Sequence, residues 1–190
     1  ARVAIHSGSN HEAADVAIKN LEGTGHILCS GDVAEPETTQ RIVRETVEKL
    51  GGLDVLVNNA GIFEAHPVDD VTFDDWQLAW QQTLAVNLTG PANLCWQAID
   101  HMRHNGGGHI INVSSRGAFR GEPRCPAYGA SKAGLNAMTQ SLAQHVAPYG
   151  IFVGAVAPGF VETDMASKVL DGPDGDAVRQ QSPLGRVPRP

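Results

Sequence analysis

His109-Ile110-Ile111-Asn112-Val113-Ser114-Ser115 is a short run of β-branched and apolar residues that ends on two serines, and Tyr128-Gly129-Ala130-Ser131-Lys132 follows shortly after it. The first stretch predicts a strand over His109–Val113. The second opens a helix over Ala127–His145. Tyr128 and Lys132 are four apart on that helix, so both project from one face. A phenol ordinarily titrates near ~10. An ammonium ~6 Å away, at an effective dielectric of ~20, favours phenolate by roughly 3 kcal/mol. That brings the tyrosine toward the range where a general acid/base is useful. Ser115 sits at the end of the predicted strand, where α/β sheets place their ligands.

Working outward, the same strand-then-helix unit repeats. Strands are expected at Val3–His6, Gly25–Cys29, Asp54–Asn58, His109–Val113 and Phe152–Ala157. Helices are expected at Glu12–Leu21, with Ser9 or Asn10 as N-cap, and at Pro36–Leu50, stopped by Gly51-Gly52. A long helix is expected from Asp74 to His101, kinked or divided at Gly90-Pro91. Several strands are almost continuously apolar, which predicts cover on both faces. This alternation specifies an open, doubly wound parallel α/β sheet, Rossmann-like, in one domain over residues 1–190. From Pro158 onward the pattern dissolves, and the run Asp171-Gly172-Pro173-Asp174-Gly175-Asp176 reads as a mobile acidic loop.

The composition narrows the function classes. The chain has 190 residues, 42% apolar and 18% charged, with a formal charge of −7. That balance argues against nonspecific nucleic-acid binding, which needs a basic surface. No apolar run approaches the ~18 residues of a membrane span. Cys29, Cys95 and Cys125 are three unclustered thiols, the pattern of a reduced cytoplasmic protein. His101, His104 and His109 lie close in sequence but flank a Gly-rich helix end, where histidine is favoured anyway, so no metal site is assigned. Arg116, Arg120 and Arg124, between Ser115 and Tyr128, are either solvated charges or a greeting for an acidic substrate. Trp76, Trp80 and Leu84 at helical spacing read as core or subunit contact.

Two further strand-end loops carry signals. Asn58-Asn59-Ala60-Gly61 follows the third strand, and its small residues let the backbone approach a flat ligand. Pro158-Gly159-Phe160-Val161-Glu162-Thr163 follows the fifth.

Taken together, Ser115 with Tyr-x3-Lys, Asn-Asn-Ala-Gly and the Pro-Gly turn resemble the short-chain dehydrogenase/reductase family over essentially the whole chain. The resemblance implies an NAD(P)(H)-dependent oxidoreductase that interconverts an alcohol and a carbonyl. It implies Tyr128 as proton donor/acceptor, Lys132 lowering its pKa and holding the nicotinamide ribose, and Ser115 hydrogen-bonding the reacting oxygen. Asn87 matches the helix asparagine that holds a relay water. Asp32 and Val33 match the pair at the adenine, Asn59, Ala60 and Gly61 line the cofactor, and Val161 and Thr163 match positions at its carboxamide and phosphates. Pro158–Met165 and Arg186 look like the 3-oxoacyl-thioester reductase group; a sugar or polyol dehydrogenase and a noncatalytic dinucleotide-binding protein are the alternatives. The intact Ser115, Tyr128, Lys132 and Asn87 argue against the last, since binding alone needs no general acid.

The family's opening strand and glycine-rich turn, roughly 30 residues, have no counterpart before Ala1, nor its last helix and strand after Pro190. The chain therefore reads as a piece of a longer protein, with an open gap at the centre of its sheet and exposed edges. At the end of the first strand Ser7 stands where an NAD enzyme places a carboxylate. Ser7, Ser9 and Asn10 can donate to a phosphate, so NADP(H) is expected over NAD(H). A small-molecule substrate and a homodimer or homotetramer, paired through the long helix and the Ala127–His145 helix, complete the expectation.

Overall fold

A computed structural model describes residues 1–163, 166–167, 170–173 and 175–189. The chain divides into two compact units, Ala1–Val156 and Ala157–Pro190.

In the first unit, β1 (Ala4–Ser7) and β2 (Ile27–Ser30) form a parallel pair in register Ala4↔Ile27 through Ser7↔Ser30. The crossover between them is α1 (His11–Lys19), and Asn10 caps it by accepting from the Ala13 N–H at 3.0 Å. A second parallel sheet has the order β3 (Val55–Asn58), β4 (Gly108–Val113), β5 (Ile151–Val156). It is reached through α2 (Pro36–Leu50), which ends on Gly51 at φ +79°, a left-handed cap that glycine adopts without a Cβ clash. β3 and β4 are joined by α3 (Phe73–Leu84), a π turn (Ala85–Thr89) and α4 (Gly90–Met102). β4 and β5 are joined by a one-turn helix α5 (Gly117–Arg120) and α6 (Pro126–Val146).

The elements fall where the periodicity puts them, within a residue or two at most ends. The division expected at Gly90-Pro91 falls there: α3 passes into a π turn that ends at Thr89, and α4 begins at Gly90. Pro91 brings no N–H to the ladder, and a π turn is one way to re-pair the flanking groups.

The expected central gap is present. The sheet is two sheets, and β1 and β3 flank a cleft of about 750 Å³ lined by Ala4, His6, Val55 and Val57, with Ile42 and Leu94 among its apolar walls. One core gathers Cys95, Ala98 and Met102 of α4 with Ile110 and Ile151 of the sheet and Val146 of α6. The other gathers Cys29, Val33, Ile42, Val43 and Leu94. Cover on both faces, expected from the apolar strands, is not what this unit builds. α4 and α6 pack on one face of the three-stranded sheet, whereas Val55 and Val57 are each 54% exposed and Phe152 is 66% exposed.

Gly90, at the start of α4, lies so close to the loop after β2 that a Cβ would stand 2.7 Å from the Val33 carbonyl oxygen. Backbone cannot yield as a side chain can. Gly90→Ala is therefore expected to lower stability by about 1–3 kcal/mol, read as a reduced urea midpoint.

The second unit, expected as loop, holds a small core instead. Ala166, Leu170 and Val178 pack together with Phe160 and Val187 beside them. The helix α7 (Gly175–Gln180) starts inside the acidic run that was expected to be a mobile loop. Asp176 in its first turn suits the helix dipole and accepts from Arg179 at 3.3 Å, while Val178 is buried. Asp174, in the same run, lies outside the described residues.

Candidate active site

The strands' carboxyl ends carry the candidate residues. Ser114 and Ser115 leave β4, and α5, which the sequence did not announce, turns the chain back toward α6. The Ser115 Oγ accepts from the Gly117 N–H at 3.1 Å, which fixes the start of that turn. α6 then presents Tyr128 and Lys132 on one face. The Lys132 Nζ lies 5.7 Å from the Tyr128 ring centroid and donates to the Val113 carbonyl at 2.8 Å.

The proton energetics differ from the simple expectation. Burial pushes the Tyr128 phenol up, a hydrogen bond with Ser115 pulls it down, and the nearby Glu122 and Cys125 push it up again; the net direction is upward. Lys132 does not depress it here. The ammonium is itself only 4% exposed, and that burial lowers its own pKa to about 8. Desolvation penalises each charged form, and the attraction between ammonium and phenolate does not overcome it.

Asn87 is fully buried within the π turn. Its Oδ1 accepts from the Ile62 N–H at 2.8 Å, and its Nδ2 donates to the Ile62 carbonyl at 3.0 Å and to the Ser131 Oγ at 3.2 Å. Ser131 in turn donates to the Tyr128 carbonyl at 2.7 Å. One amide thus ties the Asn59-Ala60-Gly61 turn to the helix of Tyr128 and Lys132. Gly61 leaves room there: a Cβ would stand 3.3 Å from Asn87 Oδ1, a tight contact, and 3.5 Å from Lys132 Nζ. Beneath the turn, Asn58 donates to Asn112 at 2.8 Å, and Asn112 donates to Thr139 at 2.8 Å. The Asn58 Oδ1 is buried without a partner among the described residues.

Sequence reasoning missed Phe63, whose ring meets Tyr128 edge-on at 4.8 Å between centroids. Only a contact between distant segments reveals it.

The remaining sequence candidates have more local surroundings. Ser7 donates to the Asn10 carbonyl at 2.8 Å, and Asn10 itself caps α1. The Asp32 carboxylate accepts from the Ala34 N–H at 2.9 Å, and the Val33 side chain is spent in the core. Asn59 and Ala60 are exposed beyond β3. Val161 and Thr163 belong to the second unit, where Thr163 Oγ1 donates to the Val161 carbonyl at 3.4 Å. Within Pro158–Met165, Asp164 and Met165 lie outside the described residues.

Arg116 follows Ser115 directly; burial and the neighbouring Arg120 lower its pKa, while Glu122 opposes them. Arg124 lies 4.0 Å from Asp70 at the surface. His104 pairs with the Asp100 carbonyl, and His109 stacks on Phe152. Among the described residues no group of three or more His, Cys, Asp or Glu side chains is placed to hold a metal ion. All three cysteines are buried free thiols, with burial pushing Cys95 and Cys125 up to about 11. No helix among the described residues is long and apolar enough to cross a membrane.

The residues present fit a dinucleotide. Lys132 has three N–H donors and, among the described residues, one hydrogen-bond acceptor, Val113, so buried donors remain for ligand hydroxyls. Beside it, Gly61 puts no side chain between the turn and Lys132.

Comparison with known proteins gives the same direction. The model of the family described as short chain dehydrogenase matches residues 1–174. An uncharacterized oxidoreductase of Thermotoga maritima is 39% identical over 162 residues, 84% of this chain and 62% of that protein. A 3-oxoacyl-[acyl-carrier-protein] reductase of Chlamydia pneumoniae is 36% identical over 185 residues, 96% of this chain and 73% of that protein. The crystal structure of a gluconate 5-dehydrogenase from Burkholderia cenocepacia in complex with NADP and tartrate superposes with a TM-score of 0.87 at 30% identity, covering 100% of this chain and 73% of that one. The chain thus spans roughly three-fifths to three-quarters of the length of these relatives.

Proposed function

The chain belongs to the short-chain dehydrogenase family, and from that premise we propose that its protein interconverts an alcohol and a carbonyl with NADP(H). The observation that carries this reading is the convergence of half-buried Ser115 and Tyr128 with buried Lys132 beside a glycine turn. When bound, the dinucleotide supplies or accepts the hydride at the substrate carbon. Tyr128, protonated at neutral pH by its raised pKa, gives its proton to the carbonyl oxygen during reduction and takes it back during oxidation. Ser115, hydrogen-bonded to the same phenol, holds that oxygen in reach. Lys132 offers its unused donors to the ribose, and its charge favours the phenolate left after transfer. Asn87 braces the cofactor turn against the helix of Tyr128.

The substrate class we favour is a 3-oxoacyl thioester, supported by likeness to 3-oxoacyl-[acyl-carrier-protein] reductases. A sugar or polyol is the second reading, favoured by likeness to a gluconate 5-dehydrogenase and a D-threitol dehydrogenase. The working protein is a homodimer or homotetramer, for which Leu78 at 51% and Trp96 at 64% exposure on α3 and α4 supply apolar surface.

NADP(H) is preferred because no carboxylate stands at Ser7, and because solved relatives in complex with NADP share this fold. The test assays full-length protein on β-keto thioesters, sugars and polyols with both dinucleotides. Turnover of a keto thioester, with a higher kcat/KM for NADPH, is expected. Preference for NAD(H) by tenfold would overturn the cofactor assignment, and no turnover on any substrate would leave a binding protein.

A further inference from the structure

His66 is 2% exposed and belongs to neither the catalytic group nor the cofactor turn. Its partners explain why an imidazole is buried there. α6 begins without a side-chain cap of its own, since Cys125 makes no capping hydrogen bond. The first four N–H groups of a helix have no partner within it. Pro126 has none to satisfy, and Tyr128 and Gly129 donate to the Cys125 carbonyl at 3.0 and 3.3 Å. Ala127 is left, fully buried, and donates to the His66 Nε2 at 3.1 Å across a separation of 61 residues. An N–H can only donate, so Nε2 carries the lone pair and Nδ1 the proton, which it gives to the Glu64 carbonyl at 2.9 Å. The His66 N–H donates to the Arg124 carbonyl at 2.8 Å, and Trp76 meets the ring at 5.6 Å. Phe63, three residues before His66, already touches the Tyr128 ring.

We propose that His66 is a positioning residue for Tyr128: its Nε2 completes the cap of α6 and holds the turn that carries the phenol. A misplacement of a reacting group by an ångström is enough to cost a large factor in rate. The proposal rests on the oxidoreductase reading for its kinetic arm and on the hydrogen bond alone for its other arm.

The experiment uses full-length protein and compares wild type, His66→Leu and His66→Gln. Gln places an acceptor oxygen where Nε2 stands. Amide hydrogen exchange at Ala127, followed by NMR without substrate, is expected to accelerate at least tenfold in His66→Leu and to return toward wild type in His66→Gln. In carbonyl reduction, kcat is expected to fall at least tenfold in His66→Leu with the dinucleotide KM within twofold, and His66→Gln is expected to regain kcat to within threefold of wild type. Unchanged Ala127 exchange in His66→Leu, or kcat lost equally in both variants, would overturn the assignment. Should His66→Leu not fold, His66→Gln decides: kcat within threefold supports the proposal and a larger loss defeats it. If wild type turns over no substrate, the oxidoreductase reading fails while the Ala127 exchange arm still reports.

Discussion

Replacing Tyr128 with Phe is expected to lower kcat by about 10²–10⁴-fold while leaving dinucleotide affinity and fold nearly unchanged. Phe retains the ring, and with it the edge contact to Phe63 at 4.8 Å and the face toward the Lys132 ammonium at 5.7 Å. What is lost is the hydroxyl that hydrogen-bonds Ser115. Steady-state kinetics on full-length enzyme, with a fluorescence titration of the dinucleotide, separates the two effects. A kcat within tenfold of wild type would remove Tyr128 from the proton transfer.

Lys132→Met is expected to act with opposite signs on stability and turnover. Burial lowers the Lys132 pKa from 10.5 to about 8, so the folded state holds the ammonium less well than the unfolded chain does. Below pH 8 the lysine is charged in both states and the folded state bears the full penalty. Between pH 8 and 10.5 the folded protein has shed a proton that the unfolded chain keeps, so stability climbs as pH rises through that window. The shift corresponds to about 3 kcal/mol. Losing the hydrogen bond to the Val113 carbonyl offsets about 1 kcal/mol of it. Met at this position is therefore expected to stabilise the protein by about 2 kcal/mol at pH 7. Urea unfolding of both proteins at pH 7 measures it. Turnover and dinucleotide affinity both fall, because the ammonium that burdens the fold is the one that serves the ribose and the phenolate. A Lys132→Met protein less stable than wild type at pH 7 would mean the burial penalty is already met by the site.

Local signals in the sequence proved sufficient wherever one segment decides its own structure. Pro36 near a helix start and Gly51 after its end bracket α2 at both termini. Asn10 is one of the two caps expected for α1. Ser115, Tyr128 and Lys132 come together because a strand end and a four-residue helical spacing can be read directly. The features that stayed hidden depend on partners far away in the chain. Nothing near Ile62 or Phe63 announces Asn87 and Tyr128, and α5 is a four-residue turn of Gly-Ala-Phe-Arg with no period to detect. The direction of the tyrosine's shift escapes the sequence for the same reason. Charge separation can be estimated from spacing, but desolvation depends on the surroundings of both groups.

The π turn at Ala85–Thr89 makes the surrounding helix unusually sensitive to a change of length. Trp76, Trp80, Thr83, Asn87, Pro91, Leu94, Ala98 and Met102 succeed one another at intervals of three or four, as if they formed one continuous stripe. A regular α-helix advances about 100° per residue and would point all of them the same way. The wider turn holds roughly one residue more than an α turn, so the residues beyond it lag by about that angle. The leading half can then run beside α6, with Trp76 against His66, while the trailing half lays Cys95, Ala98 and Met102 on the sheet. Excising one residue between 85 and 89 would restore a regular spiral and turn one half of the stripe off its partner. A gap of a single position, harmless in most surface loops, is therefore a frameshift in space for this helix.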